Sequence, residues 1–280
     1  MKNSRGRRHP FRGWAPAVAV LFASACAADR TSELRLGATT TIEDSGLLAV
    51  IDSAFEAAHP QYSLRAITGG TGEVLAIARR GDLDITWTHD PIEEAAYVEA
   101  GHGVERVEVM YNDFLIAGPP NDPAGIAGQR DAAAALAAIL RSGQRFVSRG
   151  DESGTHRKEQ QFWRANGVDP DTLARNPMYV VSGVGMGDAL RVASELNAYI
   201  LTDRATLARM APTLRLAVLA EGDPRLVNRY AVIVRQAMPR RDAADAFVDF
   251  LKGEGAAIIA EFGRQETGMP LFHPGPAPAN

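Results

Sequence analysis

Residues 34–58 read LRLGATTTIEDSGLLAVIDSAFEAA, and the fold follows from how this stretch is divided. Leu34 to Ala38 is a short apolar run bounded by turn residues, which predicts a buried strand. From Gly46 to Ala58, the residues Leu47, Val50, Ile51, Ala54, Phe55 and Ala58 recur at spacings of three and four, which predicts a helix with one core face. Between the two lie Thr39, Thr40, Thr41 and Ser45. That is more hydroxyls than the cap of one helix uses.

The same βα pattern repeats outward from this stretch. Further strands are expected at 63–67, 83–87, 107–117, 145–148, 198–202, 215–218 and 230–235, and further helices at 72–80, 92–100, 132–141, 154–166, 187–196, 240–252 and 255–262. Such alternation predicts an α/β protein with mostly parallel sheets flanked by helices. Two long β-rich stretches, 107–117 and 228–235, bracket a middle segment with its own βα pattern. The chain is therefore expected to build lobe I from 33–114 and 230–272 and lobe II from 115–229, with hinge crossings near 114–117 and 228–230 and a ligand cleft between the lobes. The proline-rich end, 273–280, is expected to fray.

With 280 residues, 46% hydrophobic and 23% charged, the chain can bury a full core as one large domain or two smaller ones. Its first 25 residues carry five basic side chains and no acid, then the apolar run Ala15 to Ala25, which reads as a secretory signal. Cys26, the sole cysteine, follows Ala23, Ser24 and Ala25 in an arrangement like a lipoprotein processing box. Simple cleavage or acylation of Cys26 as a membrane tether are both open, and neither leaves disulfide chemistry. Without the leader, 25 basic residues face 34 acids, a formal net charge of -9. That balance argues against nucleic acid as a partner, and any attraction for an anion must be local.

Four stretches place Ser, Thr and Gly between a strand and an amphipathic helix. They are Thr39 to Gly46, Thr68-Gly69-Gly70-Thr71-Gly72, Asp151-Glu152-Ser153-Gly154-Thr155 and Ser182-Gly183-Val184-Gly185-Met186-Gly187. A helix start offers unpaired amide donors at the positive end of its dipole, and glycine lets a ligand come close to the backbone. Each stretch alone is an ordinary helix cap; four together suit an oxyanion. Arg149, at the end of a predicted buried strand, adds a permanent cation with a planar fork of donors. His89 and Asp90 follow the strand that ends at Trp87, and His156 follows Thr155, so either histidine could line the cleft or serve as a structural hydrogen-bond partner.

An enzyme is the rival class. Ser153 with His156 or His89 and Asp151 supplies hydrolase residue types, but Gly150 to Gly154 lacks the Gly-x-Ser-x-Gly spacing of a nucleophile elbow. His156, three residues beyond Ser153 on one helix, is poorly placed as its base. The sequence also lacks a phosphate-loop motif and a cysteine–histidine metal cluster.

The segments Gly37-Ala38-Thr39-Thr40-Thr41, Asp44-Ser45-Gly46, Tyr111-Asn112-Asp113-Phe114, Leu201-Thr202-Asp203-Arg204 and the long string Ser148-Arg149-Gly150-Asp151-Glu152-Ser153-Gly154-Thr155-His156 resemble the tungstate-binding proteins of bacterial ABC transporters. The resemblance runs from about Leu34 to Leu271. It implies a two-lobed periplasmic-binding-protein fold of the two-crossover type (type II), delivery of tungstate to a membrane permease by a monomeric extracytoplasmic receptor, and neither catalysis nor a cofactor. Carried over by position, the ligand-binding residues would be Thr39, Thr40, Ser45, Thr71, Arg149, Ser153, Gly154 and Thr155, with His89, His156 and Gly185 as further contacts. The family's threonine run is typically followed by serine, where this chain has Ile42.

Tungstate and molybdate at neutral pH carry no proton and only accept hydrogen bonds, whereas phosphate usually keeps a proton and wants a carboxylate. Asp44 and Asp151 are the acids near enough to supply one. Read as helix caps they favour tungstate or molybdate; read as acceptors they leave phosphate open, and sulfate shares the scaffold.

Overall fold

A computed structural model describes residues 32–239 and 241–278; the expected leader and Cys26 lie outside these. The chain runs β1 (Ser32–Thr39), α1 (Thr40–Ser45), α2 (Leu47–Ala58), β2 (Tyr62–Gly69), α3 (Thr71–Arg79), β3 (Ile85–Thr88), α4 (Pro91–Glu99), β4 (Gly103–Gly118), α5 (Ala132–Arg141), β5 (Phe146–Ser148), α6 (Gly154–Ala165), α7 (Pro170–Leu173), β6 (Tyr179–Val181), α8 (Met186–Leu196), β7 (Tyr199–Asp203), α9 (Arg204–Met210), β8 (Ala217–Ala220), β9 (Val227–Arg235), α10 (Arg241–Lys252), α11 (Glu254–Glu261), α12 (Arg264–Thr267) and β10 (His273–Pro274).

The opening βα unit forms where its pattern predicts, with one addition and with Val50 and Ala58 of the expected core face exposed, because the buried face turns toward Leu48. Leu34, Leu36 and Ala38 of β1 are fully buried, and α2 buries Leu47, Leu48, Ile51 and Phe55. The run Thr40–Ser45, expected to be a loop, is instead the short helix α1. It is bounded by Thr39 in extended conformation and by Gly46 at φ 84°, a left-handed geometry that suits glycine and turns the chain into α2. Gly37 lets α3 lie close on β1: a Cβ there would stand 2.6 Å from Val74 Cγ1 and 2.4 Å from Leu83 Cδ1.

The sheets are mixed rather than mostly parallel. β1 runs parallel with β2 and β3, and β5 with β6 and β7, as βαβ connections require. Every pairing that β4 and β9 make among the described residues is antiparallel. The physical reason is that β4 is long enough to serve both sheets. From Gly103 to Asp113 it pairs with β9, and from Phe114 onward with β7. The strand order is β2-β1-β3-β9-β4-β7-β5-β6, so β4 carries the chain from one lobe into the other.

Helices cover both faces of each half. In lobe I one core gathers Leu34, Ile42, Phe55, Trp87, Phe247 and Phe272, and a smaller one gathers Val74, Leu83, Tyr97 and Ile233. In lobe II the cores gather Phe114, Leu136, Phe162, Trp163 and Tyr199 on one face and Val147, Met186, Leu190 and Ile200 on the other. The segment 273–278, expected to fray, is held in place. Phe272 is fully buried, β10 pairs with β4, and the Arg229 guanidinium donates to the carbonyls of Ala277 at 3.2 Å and Pro278 at 2.8 Å.

Candidate functional site

The hydroxyl- and glycine-rich stretches converge where the two lobes meet. Gly70, at the start of α3, faces the start of α6: a Cβ on it would lie 3.7 Å from Ser153 Cβ and 3.6 Å from the Asp151 backbone oxygen. On the other side, Gly185, which precedes α8, faces Thr40, with 4.0 Å from a built Cβ to Thr40 Cβ. Arg149 joins the lobes, since its Nη2 donates to Thr40 Oγ1 at 3.4 Å as well as to the carboxylate of Asp151. Thr39, Thr71, Arg149, Ser153 and Thr155 are each at most 2% exposed, so the cleft is closed over them.

Local geometry explains why these side chains are held so firmly. Ser153 caps α6 by accepting the His156 amide at 3.2 Å, and Asp151 accepts the Ser153 amide at 3.2 Å. The turn before α6 is tight, with Gly150 at φ 62° and Glu152 at φ 56°. Beneath it, Glu159 accepts from Tyr179 Oη at 2.5 Å and Trp163 Nε1 at 2.9 Å. Burial pushes the Glu159 carboxyl up to about 7, so this anchor carries its proton near neutrality.

Against that well-bonded background, three buried donors in the cluster have no partner: Thr71 Oγ1, Thr155 Oγ1 and Arg149 Nε. A buried polar group without a partner costs about 1–3 kcal/mol, so three on the segments that meet between the lobes mark a place suited to an acceptor. His89 lies at the same point. Burial, then the Arg149 charge, holds its imidazole down to about 3, so the ring is neutral, and its buried Nδ1 is also unpartnered. Of the carboxylates nearby, Asp44 and Asp151 are engaged, while Asp203, raised to about 6 chiefly by burial, keeps one buried oxygen without a partner. Asp44 accepts the Gly187 amide at 3.1 Å, across the cleft, and Asp151 serves Arg149 and Ser153. Asp44 therefore caps α8 of the opposite lobe rather than its own helix.

Two of the residues singled out from sequence spend their polar groups locally. Ser45 donates to the Ile42 carbonyl at 2.8 Å and accepts the Leu47 amide at 3.3 Å. The His156 ring accepts the Glu152 amide on Nδ1 at 3.1 Å and sets Nε2 2.9 Å from Gln160 Nε2. The Ser153 hydroxyl thus meets the backbone of His156, not its imidazole. Ile42 is fully buried in the lobe I core, so the departure at that position falls on the apolar side of α1. Sequence reasoning missed the contacts that cross the cleft, Asp44 with Gly187 and Arg157 with Glu93 at 2.5 Å. Their partners lie 143 and 64 residues apart, and no local pattern links them.

A two-lobed α/β molecule with its donors gathered at the inter-lobe cleft defines a class, the periplasmic binding proteins, and the family described as a PBP superfamily domain matches residues 24–254. The chain is 36% identical over 255 residues to the tungstate-binding protein TupA of Peptoclostridium acidaminophilum, covering 86% of this chain and 85% of that protein. Among solved structures, it is similar to TupA from Desulfovibrio alaskensis G20, with 35% identity, a TM-score of 0.72 and coverage of 88% of this chain and 100% of that one. It is also similar to a structure described as the tungstate ABC transporter from Geobacter sulfurreducens, with 39% identity, a TM-score of 0.74 and coverage of 82% and 98%. The chain belongs to the TupA family of substrate-binding proteins.

Proposed function

We propose that this chain is the extracytoplasmic receptor of an ABC transporter, that it captures tungstate between its lobes and that it presents the closed form to a membrane permease. The observation that carries this reading is the trio of buried, unpartnered donors Thr71 Oγ1, Thr155 Oγ1 and Arg149 Nε, with the carboxylates of Asp44 and Asp151 already in use. Three free donors match an oxyanion that only accepts hydrogen bonds. Tungstate leads because relatives 36% and 35% identical to this chain carry its name, and molybdate has the same acceptor-only chemistry.

The ligand set is Thr39, Thr40, Thr71, Arg149, Ser153, Gly154 and Thr155, with His89 and Gly185 as further contacts. The change of partner along β4 between Asp113 and Phe114 supports lobe boundaries near 114 and 230. One chain supplies every donor, which fits a monomer. Binding without turnover fits Ser153, whose hydroxyl accepts the His156 amide while the His156 ring is turned to Glu152 and Gln160. Among the described residues no helix is long and apolar enough to cross a membrane, so attachment would rest on Cys26 or on docking.

Calorimetry of residues 27–280 with tungstate, molybdate, sulfate and phosphate tests the reading. One site for tungstate or molybdate, with weak or absent phosphate binding, is the expected result. A protein that binds phosphate best overturns it.

A further inference from the structure

The Asp44 carboxylate, in the last turn of α1 on lobe I, accepts the backbone N–H of Gly187 at 3.1 Å, and Gly187 lies in the first turn of α8 on lobe II. A negative charge there meets the positive end of an 11-residue helix and takes up one of its free amides. Asp44 is half-buried, and its desolvation raises its pKa while the Gly187 bond and the Arg149 charge oppose that rise. Apolar packing backs this contact. Ala205 and Ala208 of α9 join the core built mainly by lobe I, so α8 and α9 are seated on α1 as a group.

The other flank of the cleft is held differently. Arg157 on α6 reaches Glu93 at 2.5 Å and Asp90 at 3.4 Å at the start of α4, a part-exposed set of ion pairs that water can replace. The α1 flank combines a buried apolar seat with a charge-assisted hydrogen bond, and it is the more durable of the two.

We infer that Asp44 is a positioning residue that clasps α8 to lobe I, so that the start of α8 is used by the protein itself and the closed cleft lets its anion go slowly. The inference rests on the oxyanion reading above. Asp44 touches no ligand in this account; it acts on how long the two lobes stay together. A carboxylate that only kept the anion away from α8 would have the opposite effect, since removing it would free the helix start and tighten binding.

Stopped-flow binding of tungstate to the wild type, Asp44→Ala and Asp44→Asn tests this. Asp44→Ala is expected to dissociate about tenfold faster, with an association rate within about twofold of the wild type and an unchanged melting temperature without anion. Asp44→Asn, whose amide oxygen still accepts from Gly187, should recover most of the slow dissociation. An unchanged dissociation rate in Asp44→Ala, or tighter binding, overturns the clasp. If the wild type binds no tungstate, the functional reading fails instead, and small-angle scattering of the ligand-free proteins then decides the clasp: a more open Asp44→Ala supports it, and identical profiles overturn it.

Discussion

Gly154, the first residue of α6, lies so close to His89 of the opposite lobe that a Cβ on it would stand 2.8 Å from Cε1 and Nδ1 of the ring and 3.0 Å from the His89 backbone oxygen. Closure therefore needs a glycine at this point, for reasons of space rather than backbone conformation.

Gly154→Ala should leave the ligand-free protein as stable as the wild type or about 0.5–1 kcal/mol more so, because alanine suits a helix start and restricts the unfolded chain. Affinity for tungstate should fall by more than about tenfold, since the lobes can no longer meet fully. Small-angle scattering with saturating anion checks this. The wild type should contract and the variant should contract less.

Thr71→Val and Thr155→Val remove hydroxyls that are buried and have no protein partner. Each should raise the ligand-free melting temperature slightly, or leave it unchanged, while weakening anion binding by about 10- to 100-fold, the range for a hydrogen bond to a charged group. Thermal melts with and without tungstate read both effects in one experiment. A loss of stability without anion would mean that the hydroxyls serve the fold.

Arg149→Ala should cost at least about 100-fold in affinity, because it removes the buried cation and its fork of donors. The fold should survive, as Asp151, left without its partner, is 17% exposed and can reach water. Arg149→Lys, which keeps the charge and loses the planar fork, should fall between the two by calorimetry.

Glu159 gives a pH signature. Its carboxyl is raised from 4.5 to about 7 by burial, so the folded chain holds a proton that the unfolded chain releases near pH 4.5. The stability this contributes is complete below about pH 4.5 and is lost as pH rises through 7, roughly 3 kcal/mol in all. Glu159→Gln should remove that part of the slope while keeping an oxygen for Tyr179 and Trp163. Melting temperatures at pH 5 and pH 8 should then differ less in the variant than in the wild type.

Much of this architecture was legible because it is local. The strand 34–38, the helix α2 with Leu47, Ile51 and Phe55 on its core face, and the cap at Ser153 are set by short-range periodicity and capping chemistry, and the structure keeps them, although Val50 and Ala58 face solvent. What escaped depends on contacts far along the chain. α1 forms from a threonine-rich run of poor helix propensity because Gly46 closes it and α8 and α9 pack on it. The mixed sheet follows from one 16-residue strand serving two lobes. At the site, the donors were readable as a set, but which of them are spent on the protein was not. Ser45 and His156 bond to near neighbours in the chain, and Asp44 bonds across the cleft.

The end of the chain is laced to both strands that run between the lobes, through the pairing of β10 with β4 and the hold of Arg229 on Ala277 and Pro278. Pro276 is exposed in that lacing, and Cys26 is the chain's sole cysteine. A protein starting after Cys26 and carrying Pro276→Cys would hold a single exposed thiol beside β4 and β9, far along the chain from every donor of the cleft. A solvent-sensitive dye on that thiol would turn the receptor into an optical sensor for its own anion.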